Sequence, residues 1–186
     1  TSLPISSRQR IVELAVRYEV PIIEDDPYGF LVYDGEPLPP LSALDADWVF
    51  YLGSFSKIIS PALRLGWMVV PPEAAITKDA IDLESSGLMQ RVVSDYLDGN
   101  DLFERIAELR ATYRRRRDAM LEALDEFFPS SARWNHPRGG FFVWVELGEK
   151  SDTTELLERS WRRRASRSCR ARPSRSAVLE LLIACD

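Results

Sequence analysis

The chain has 186 residues, 45% of them apolar, enough to bury the core of one domain and part of a second. Its formal charge of −5 excludes phosphate neutralisation on a basic face as its main task, and no apolar run approaches the roughly 18–20 residues that cross a bilayer. The N-terminus lacks a basic region followed by an apolar one, and only two cysteines and one histidine are present, so a cytoplasmic location is expected, without a metal site or a disulfide framework.

In chain order, the first predicted element is a helix over residues 8–18, with Ser6 or Ser7 as N-cap and Ile11, Leu14, Ala15 and Tyr18 at helical spacing. Val20-Pro21-Ile22-Ile23 follows at once and stops at Glu24-Asp25-Asp26-Pro27. It reads as a buried parallel strand that delivers carboxylates at its C-terminal end, where open α/β sheets bind ligands. Residues 29–46 carry Gly29, Gly35, Pro37, Pro39 and Pro40 and read as a loop crossing the surface. Trp48-Val49-Phe50-Tyr51-Leu52-Gly53 is a second buried strand, again ending in polar groups, Ser54, Ser56 and Lys57. After Pro61, the run Leu65-Gly66-Trp67-Met68-Val69-Val70 returns too soon for a parallel crossover and is predicted to be antiparallel to its predecessor.

Helical patterns then fill residues 73–96, interrupted near Gly87, and a long stretch capped by Asp101, with Glu104 completing a capping box. Phe103, Ile106, Leu109, Tyr113, Met120, Leu124 and Phe127 trace its apolar stripe as far as Pro129. Arg114-Arg115-Arg116-Arg117 is interleaved with acids at helical distance and reads as a solvated face. His136, between Asn135 and Pro137 in a predicted turn, is assigned no catalytic role. Gly139-Gly140 introduces an aromatic and β-branched strand over 141–147, and Asp152 or Thr153 caps a helix over 154–159. An α/β segment followed by a long helix and strands suggests a second, smaller α+β unit.

The composition changes at Trp161. Residues 161–186 hold seven of the 24 basic side chains and two of the 29 acidic ones, which leaves a formal charge of −10 on the rest. A basic arm for nucleic acid or an acidic partner is one reading. An out-of-frame translation of a GC-rich gene fits better, because a strand and a helix are under way when the pattern changes.

Two consecutive strands thus bring reactive side chains to one sheet edge. A lysine that follows a buried strand can form a Schiff base with an aldehyde, and Lys57 is placed for this. A carboxylate at the end of the neighbouring strand can keep a pyridine nitrogen protonated, which makes the ring an electron sink; Asp25 stands there. Tyr28 can donate to a phenolate oxygen, and Ser54, Ser56 and Arg64 offer two hydroxyls and a forked cation to a phosphate. Taken singly, each residue has an ordinary role in a turn or on a solvated surface. Together they give every part of pyridoxal 5'-phosphate a partner.

Asp25-Asp26-Pro27-Tyr28 resembles the Asp-x-x-Tyr element of class I/II aminotransferases, and Ser54-Phe55-Ser56-Lys57-Ile58-Ile59-Ser60-Pro61-Ala62-Leu63-Arg64-Leu65-Gly66 resembles their Schiff-base lysine signature. Pro61 and the seven-residue step from Lys57 to Arg64 resemble the aminoadipate and kynurenine aminotransferase subgroup, and also regulators that fuse a winged-helix DNA-binding domain to an aminotransferase-like domain. Arg138-Gly139-Gly140-Phe141-Phe142-Val143-Trp144 is similar to the glycine-aromatic strand of the family's C-terminal domain.

The resemblance implies an α/β fold, with residues 1–100 the C-terminal part of the mainly parallel large-domain sheet of fold type I pyridoxal-phosphate enzymes. Residues 101–160 would belong to the smaller α+β domain, and 161–186 form the anomalous tail. It implies amino-group transfer from an amino acid to a 2-oxo acid, with Lys57, Asp25 and Tyr28 catalytic and all six residues around the cofactor. It also implies a homodimer for the full-length protein, whose members are about twice this length; nucleic acid is expected as a partner only if a DNA-binding domain is fused upstream. An effector domain of a regulator, or another pyridoxal-phosphate reaction such as β-elimination, are the alternatives. By the same resemblance the chain starts just after an Asn-Pro-x-Gly turn, and the arginine that clamps the substrate carboxylate is expected where the anomalous tail stands.

Overall fold

A computed structural model describes residues 3–81, 85–147, 152, 156 and 178–182. The chain divides into two compact units, Thr1–Leu109 and Arg110–Asp186.

The first unit opens with helix α1, Ile5–Tyr18. It begins earlier than predicted because Pro4, held extended at φ −64° and ψ 157°, supplies its carbonyl to the Arg8 N–H, so Ser6 and Ser7 sit in the first turn instead of capping it. Glu19 ends the helix in the left-handed region, and Val20 donates back to the Ala15 carbonyl at 3.0 Å.

Strand β1, Ile22–Asp25, runs parallel to β2, Val49–Ser54, and β2 is antiparallel to β3, Gly66–Val69, as their close spacing predicts. The order is β1-β2-β3. β1 starts after Pro21, which has no N–H for a ladder, and takes Glu24 and Asp25 into the strand. Ile22, Glu24, Val49 and Tyr51 share one face by alternation. There Val49 and Ile22 pack against Val12 and Ile11 of α1 and against Leu41. The opposite face carries Ile23, Asp25, Phe50, Leu52, Ser54 and Met68; Ile23 is 68% exposed and Met68 44%. The expectation of a buried β1 is therefore corrected: among the described residues the strand is covered on its α1 face, and Ile23 on the other face is exposed.

Residues 29–46 are also more than a surface crossing. They form two 3-10 turns, Gly29–Leu31 and Leu41–Ala43, and bury Leu31, Tyr33 and Leu41. Glu24 pins them: its Oε2 accepts the Leu41 N–H at 2.8 Å and the Ser42 N–H at 3.4 Å, and its Oε1 lies 3.4 Å from Arg8 Nη1. Arg8 Nη1 also donates to the Pro39 carbonyl at 2.7 Å.

Helices α2, Pro72–Ile81, and α3, Gly87–Gly99, follow, the predicted break falling between them. Helix α4 spans Leu102–Phe127, and Asp101 Oδ1 accepts the N–H groups of Phe103 and Glu104, as an N-cap should.

In the second unit, β4, Arg133–Trp134, β5, Phe142–Glu146, and β6, Val178–Leu182, make an antiparallel sheet in that order. Leu121 and Leu124 pack against Val143 and Val145, and the Tyr113 and Phe141 ring centroids lie 4.4 Å apart. β6 falls within the anomalous tail and pairs with β5 from Phe142↔Leu182 to Glu146↔Val178. Of the helix predicted over 154–159, the described residues hold Leu156, whose N–H donates to the Asp152 carbonyl. The solvated reading of the four arginines fails for Arg117, which is buried: its Nη1 donates to the Pro137 carbonyl at 2.7 Å and its Nε to Asp118 Oδ1 at 2.6 Å.

Candidate functional site

The parallel register fixes the first two site residues. Asp25 lies opposite Leu52, and Ser54 is two residues further along β2 on the same open face. Adjacent strands are about 4.8 Å apart and residues two apart are separated by about 6.7 Å, so both groups reach one small area at the C-terminal edge.

Beyond β2 the chain turns sharply. Ser54 Oγ accepts the Ser56 N–H at 3.1 Å and caps a 3-10 turn, Phe55–Lys57. The Phe55 carbonyl accepts the N–H groups of Ile58, Ile59 and Ser60, and Ile58 is buried beneath the turn. Ser60 caps a second 3-10 turn, Pro61–Leu63, through the Ala62 N–H. The Phe55 N–H then donates to the Leu65 carbonyl at 3.1 Å, closing the loop onto the sheet edge. Lys57 thus lies within a loop whose far end, just past Arg64, is bonded back to Phe55 and pairs with Ser54.

Arg64 has φ 51° and ψ 35°, and Glu19 at a helix end is the other described non-glycine residue with positive φ. Arg64 is the C-cap of the Pro61–Leu63 turn, and a non-glycine residue in this left-handed conformation costs about 1 kcal/mol. Gly66, next but one to it, faces Ser54 across the β2–β3 ladder, and a Cβ there would meet the Gly53 carbonyl oxygen at 2.7 Å.

Tyr28 stands three residues past Asp25, where its carbonyl accepts the Leu31 N–H at 2.8 Å and opens the Gly29–Leu31 turn. Asp25, Ser54, Ser56, Lys57 and Arg64 therefore gather at the ends of β1 and β2, with Tyr28 on the adjoining turn. An open groove of about 590 Å³ between Leu52, Gly53, Gly66, Trp67, Met68, Ala75 and Ile76 is lined by none of the six.

The α1 face of the same edge holds polar groups that motif reading passes over. Tyr51 Oη donates to Asp26 Oδ2 at 3.3 Å. Burial pushes the Tyr51 phenol up to about 12, and the charge and hydrogen bond of Asp26, then the charge of Glu24, add to the rise. A tyrosine in an otherwise apolar strand is the sequence signal that could have found this pair, since a buried phenol needs a partner.

The sequence model of the family "Aminotransferase class I and II" matches residues 1–175. The chain is 42% identical over 158 residues to aromatic-amino-acid aminotransferase 1 of Thermococcus litoralis, covering 82% of this chain and 38% of that protein. It is 38% identical over 161 residues to the uncharacterized HTH-type transcriptional regulator YisV of Bacillus subtilis, covering 82% of this chain and 33% of the regulator. Among solved structures, α-aminoadipate aminotransferase LysN of Thermus thermophilus, complexed with N-(5'-phosphopyridoxyl)-L-leucine, superposes with a TM-score of 0.88 at 32% identity over 97% of this chain and 49% of that one. The chain thus spans a half or less of the length of the relatives it matches.

Proposed function

The chain belongs to the class I and II aminotransferase family, and we propose that the whole protein transfers an amino group from an amino acid to a 2-oxo acid using pyridoxal 5'-phosphate, with Asp25, Tyr28, Ser54, Ser56, Lys57 and Arg64 as this chain's share of the cofactor site. Its fold is the α/β fold of the fold type I pyridoxal-phosphate enzymes. In this reading residues 1–100 belong to the large cofactor-binding domain and 101–160 to the small one, and the whole protein works as a homodimer.

One observation supports the site assignment: Asp25 and Ser54 share one open face by the parallel register, and the loop that holds Lys57 and Arg64 is closed onto the same edge by the Phe55–Leu65 main-chain bond. The donor set fits the cofactor. A carboxylate suits a protonated pyridine nitrogen, a phenol suits the ring oxygen, and two hydroxyls with a guanidinium suit a phosphate dianion. When bound, the cofactor supplies an electron sink that lowers the cost of removing the substrate Cα proton. Lys57 would hold the cofactor aldehyde and, once released by the incoming substrate amine, would carry that proton from the substrate Cα to the cofactor carbon it had held. Asp25 holds the ring charge, while Ser54, Ser56 and Arg64 hold the phosphate end and fix the ring's orientation.

Reduction with borohydride after mixing the purified chain with pyridoxal phosphate should attach the cofactor to Lys57, read by peptide mass spectrometry, and Lys57→Ala should abolish the adduct. No adduct on Lys57 in the unaltered chain refutes the site assignment. The regulator relatives support a second reading, in which the same pocket serves as the effector site of a DNA-binding protein. Amino-group transfer to a 2-oxo acid by the full-length protein separates the two, since the second reading needs cofactor capture without turnover.

A further inference from the structure

We propose that Asp26 and Tyr51 act as positioning residues, clamping from behind the sheet the turn that presents Tyr28. The inference rests on the cofactor reading given above. Asp26 is the first residue past β1, and its N–H continues the ladder by donating to the Leu52 carbonyl at 2.9 Å. Its carboxylate meets Tyr51 Oη at 3.3 Å, and Tyr51 belongs to the α1 face, opposite to that of Asp25. The same carboxylate lies against the Gly29 Cα so closely that a Cβ on Gly29 would overlap Oδ2. Within Asp26-Pro27-Tyr28-Gly29, then, the side chain of the first residue lies against the last and is held from the α1 face by Tyr51. Pro27 removes backbone freedom between them, and the Leu31 N–H on the Tyr28 carbonyl at 2.8 Å closes the turn. The high phenol pKa keeps Tyr51 a donor throughout the neutral range.

In this proposal the clamp acts through Tyr28. Two measurements test it. In the cofactor-free chain, exchange of the Leu31 amide followed by NMR should quicken about tenfold in Tyr51→Phe and in Asp26→Ala, the scale a single hydrogen bond supports. Asp26→Asn, which keeps an acceptor for the phenol, should restore most of the protection, and amides of β5 should be unaffected. In the loaded chain, the pH midpoint of the visible absorption of the Lys57-linked cofactor should move in Tyr51→Phe and return towards the unaltered value in Asp26→Asn, a change that simple loss of stability does not produce. Leu31 exchange unaltered by Tyr51→Phe overturns the clamp. Faster exchange with an unmoved midpoint overturns its positioning role. A chain that takes no cofactor on Lys57 refutes the site assignment instead, and the exchange experiment still decides the clamp.

A different observation carries a second inference: we infer that residues 161–177 are encoded one nucleotide out of frame. In a gene with G or C at third codon positions, the displaced frame joins each third base to the first two bases of the next codon. Serine (TC) and cysteine (TG) then become valine or leucine, alanine (GC) becomes glycine or arginine, and arginine (CG or AG) becomes alanine, proline, glutamate or glutamine. Applied to Ala165-Ser166-Arg167-Ser168-Cys169-Arg170-Ala171, with G at each third position except a C in the Cys169 codon, this yields Gly-Val-Ala-Val-Val-Pro-Gly. That reads as a β-branched strand closed by a Pro-Gly turn, whereas the tail as it stands carries seven arginines and no acid before Glu180. Nucleotide sequencing across codons 155–177 of the source gene, with peptide mass spectrometry of the native protein, tests it. A single-base difference upstream of codon 165, a second that restores the frame by codon 178, and a native peptide containing Gly-Val-Ala-Val-Val-Pro-Gly are expected. A native peptide carrying Ser168-Cys169-Arg170 overturns it.

Discussion

Replacing Gly53 with alanine would place a methyl group inside the indole of Trp67, at its Cε2, Cζ2 and Nε1 atoms. Gly53 and Trp67 are direct partners in the β2–β3 ladder, and the strand cannot slide to relieve the overlap, because a one-residue slip turns every side chain to the wrong face. The indole has to tilt, and its neighbours are the Phe55 ring at 4.7 Å and the Phe30 ring at 6.2 Å between centroids. Overpacking of this kind costs about 1–3 kcal/mol, a roughly five- to 150-fold fall in the ratio of folded to unfolded chain. The strain passes to Phe55, whose carbonyl holds the N–H groups of Ile58, Ile59 and Ser60 and whose N–H reaches Leu65, so the loop bearing Lys57 moves with it. Urea unfolding should show a lower midpoint for Gly53→Ala, and borohydride trapping should show less cofactor on Lys57. Stability within about 0.5 kcal/mol of the unaltered chain, together with unchanged trapping, would refute the argument that Trp67 occupies the Cβ position, since surface-like tolerance is of that size.

Arg64→Gly and Arg64→Ala both remove the guanidinium proposed for the phosphate, but only glycine relaxes the φ of 51°; both should bind pyridoxal phosphate more weakly, while the glycine variant should be about 1 kcal/mol more stable than the alanine one, and equal unfolding midpoints would refute the strain. For Tyr51 the folded phenol sits at about 12 against 10.0 unfolded, so the folded state holds the proton more tightly. Its contribution to stability is complete below pH 10 and lost as pH rises through about 12, and Tyr51→Phe should flatten that part of the unfolding profile; an unaltered slope counts against the shift. Arg117→Met strips the donor from the Pro137 carbonyl and should cost about 1–3 kcal/mol by thermal unfolding, whereas a solvated arginine would cost almost nothing. Glu24→Ala leaves the Leu41 and Ser42 N–H groups without their carboxylate and should cost a similar 1–3 kcal/mol or so, with Glu24→Gln losing less because it keeps an acceptor; equal losses in the two variants would count against the backbone bonds as the cause.

The elements legible in the sequence were those set by local rules. The antiparallel return of β3 followed from the short spacing after β2, and Asp101 announced α4 because a capping carboxylate acts on its own next two or three residues. What stayed hidden depended on partners far along the chain. Arg117 looked solvated among three other arginines, since its acceptor is the carbonyl of Pro137, twenty residues away. β1 looked buried because its side chains are apolar, yet hydrophobicity does not tell how many faces are covered. The six residues proposed for the cofactor could be named from the sequence for the opposite reason: their chemical types are demanding and they lie within forty residues of one another. Tyr51 and Asp26 escaped notice because a strand tyrosine and a turn aspartate are common, and only the register makes them meet.

The division of labour along β1 follows from its period of two. Parallel strands need a long connection, usually through a helix, to reach the same edge twice. Here residues 26–48 make it with two 3-10 turns and no α-helix, so the connection has little internal stiffness of its own. Glu24 and Asp26 supply the missing restraint from the α1 face, one through Arg8, Leu41 and Ser42, the other through Tyr51 and Gly29. Asp25, between them, is thereby turned to the open face, its direction fixed by two neighbours that point the other way. If the proposed cofactor site is right, a carboxylate that must face a ring nitrogen is best held by a strand whose alternate side chains are already committed elsewhere, and the run Glu24-Asp25-Asp26 meets that need with the middle acid on the open face and the outer two engaged on the other.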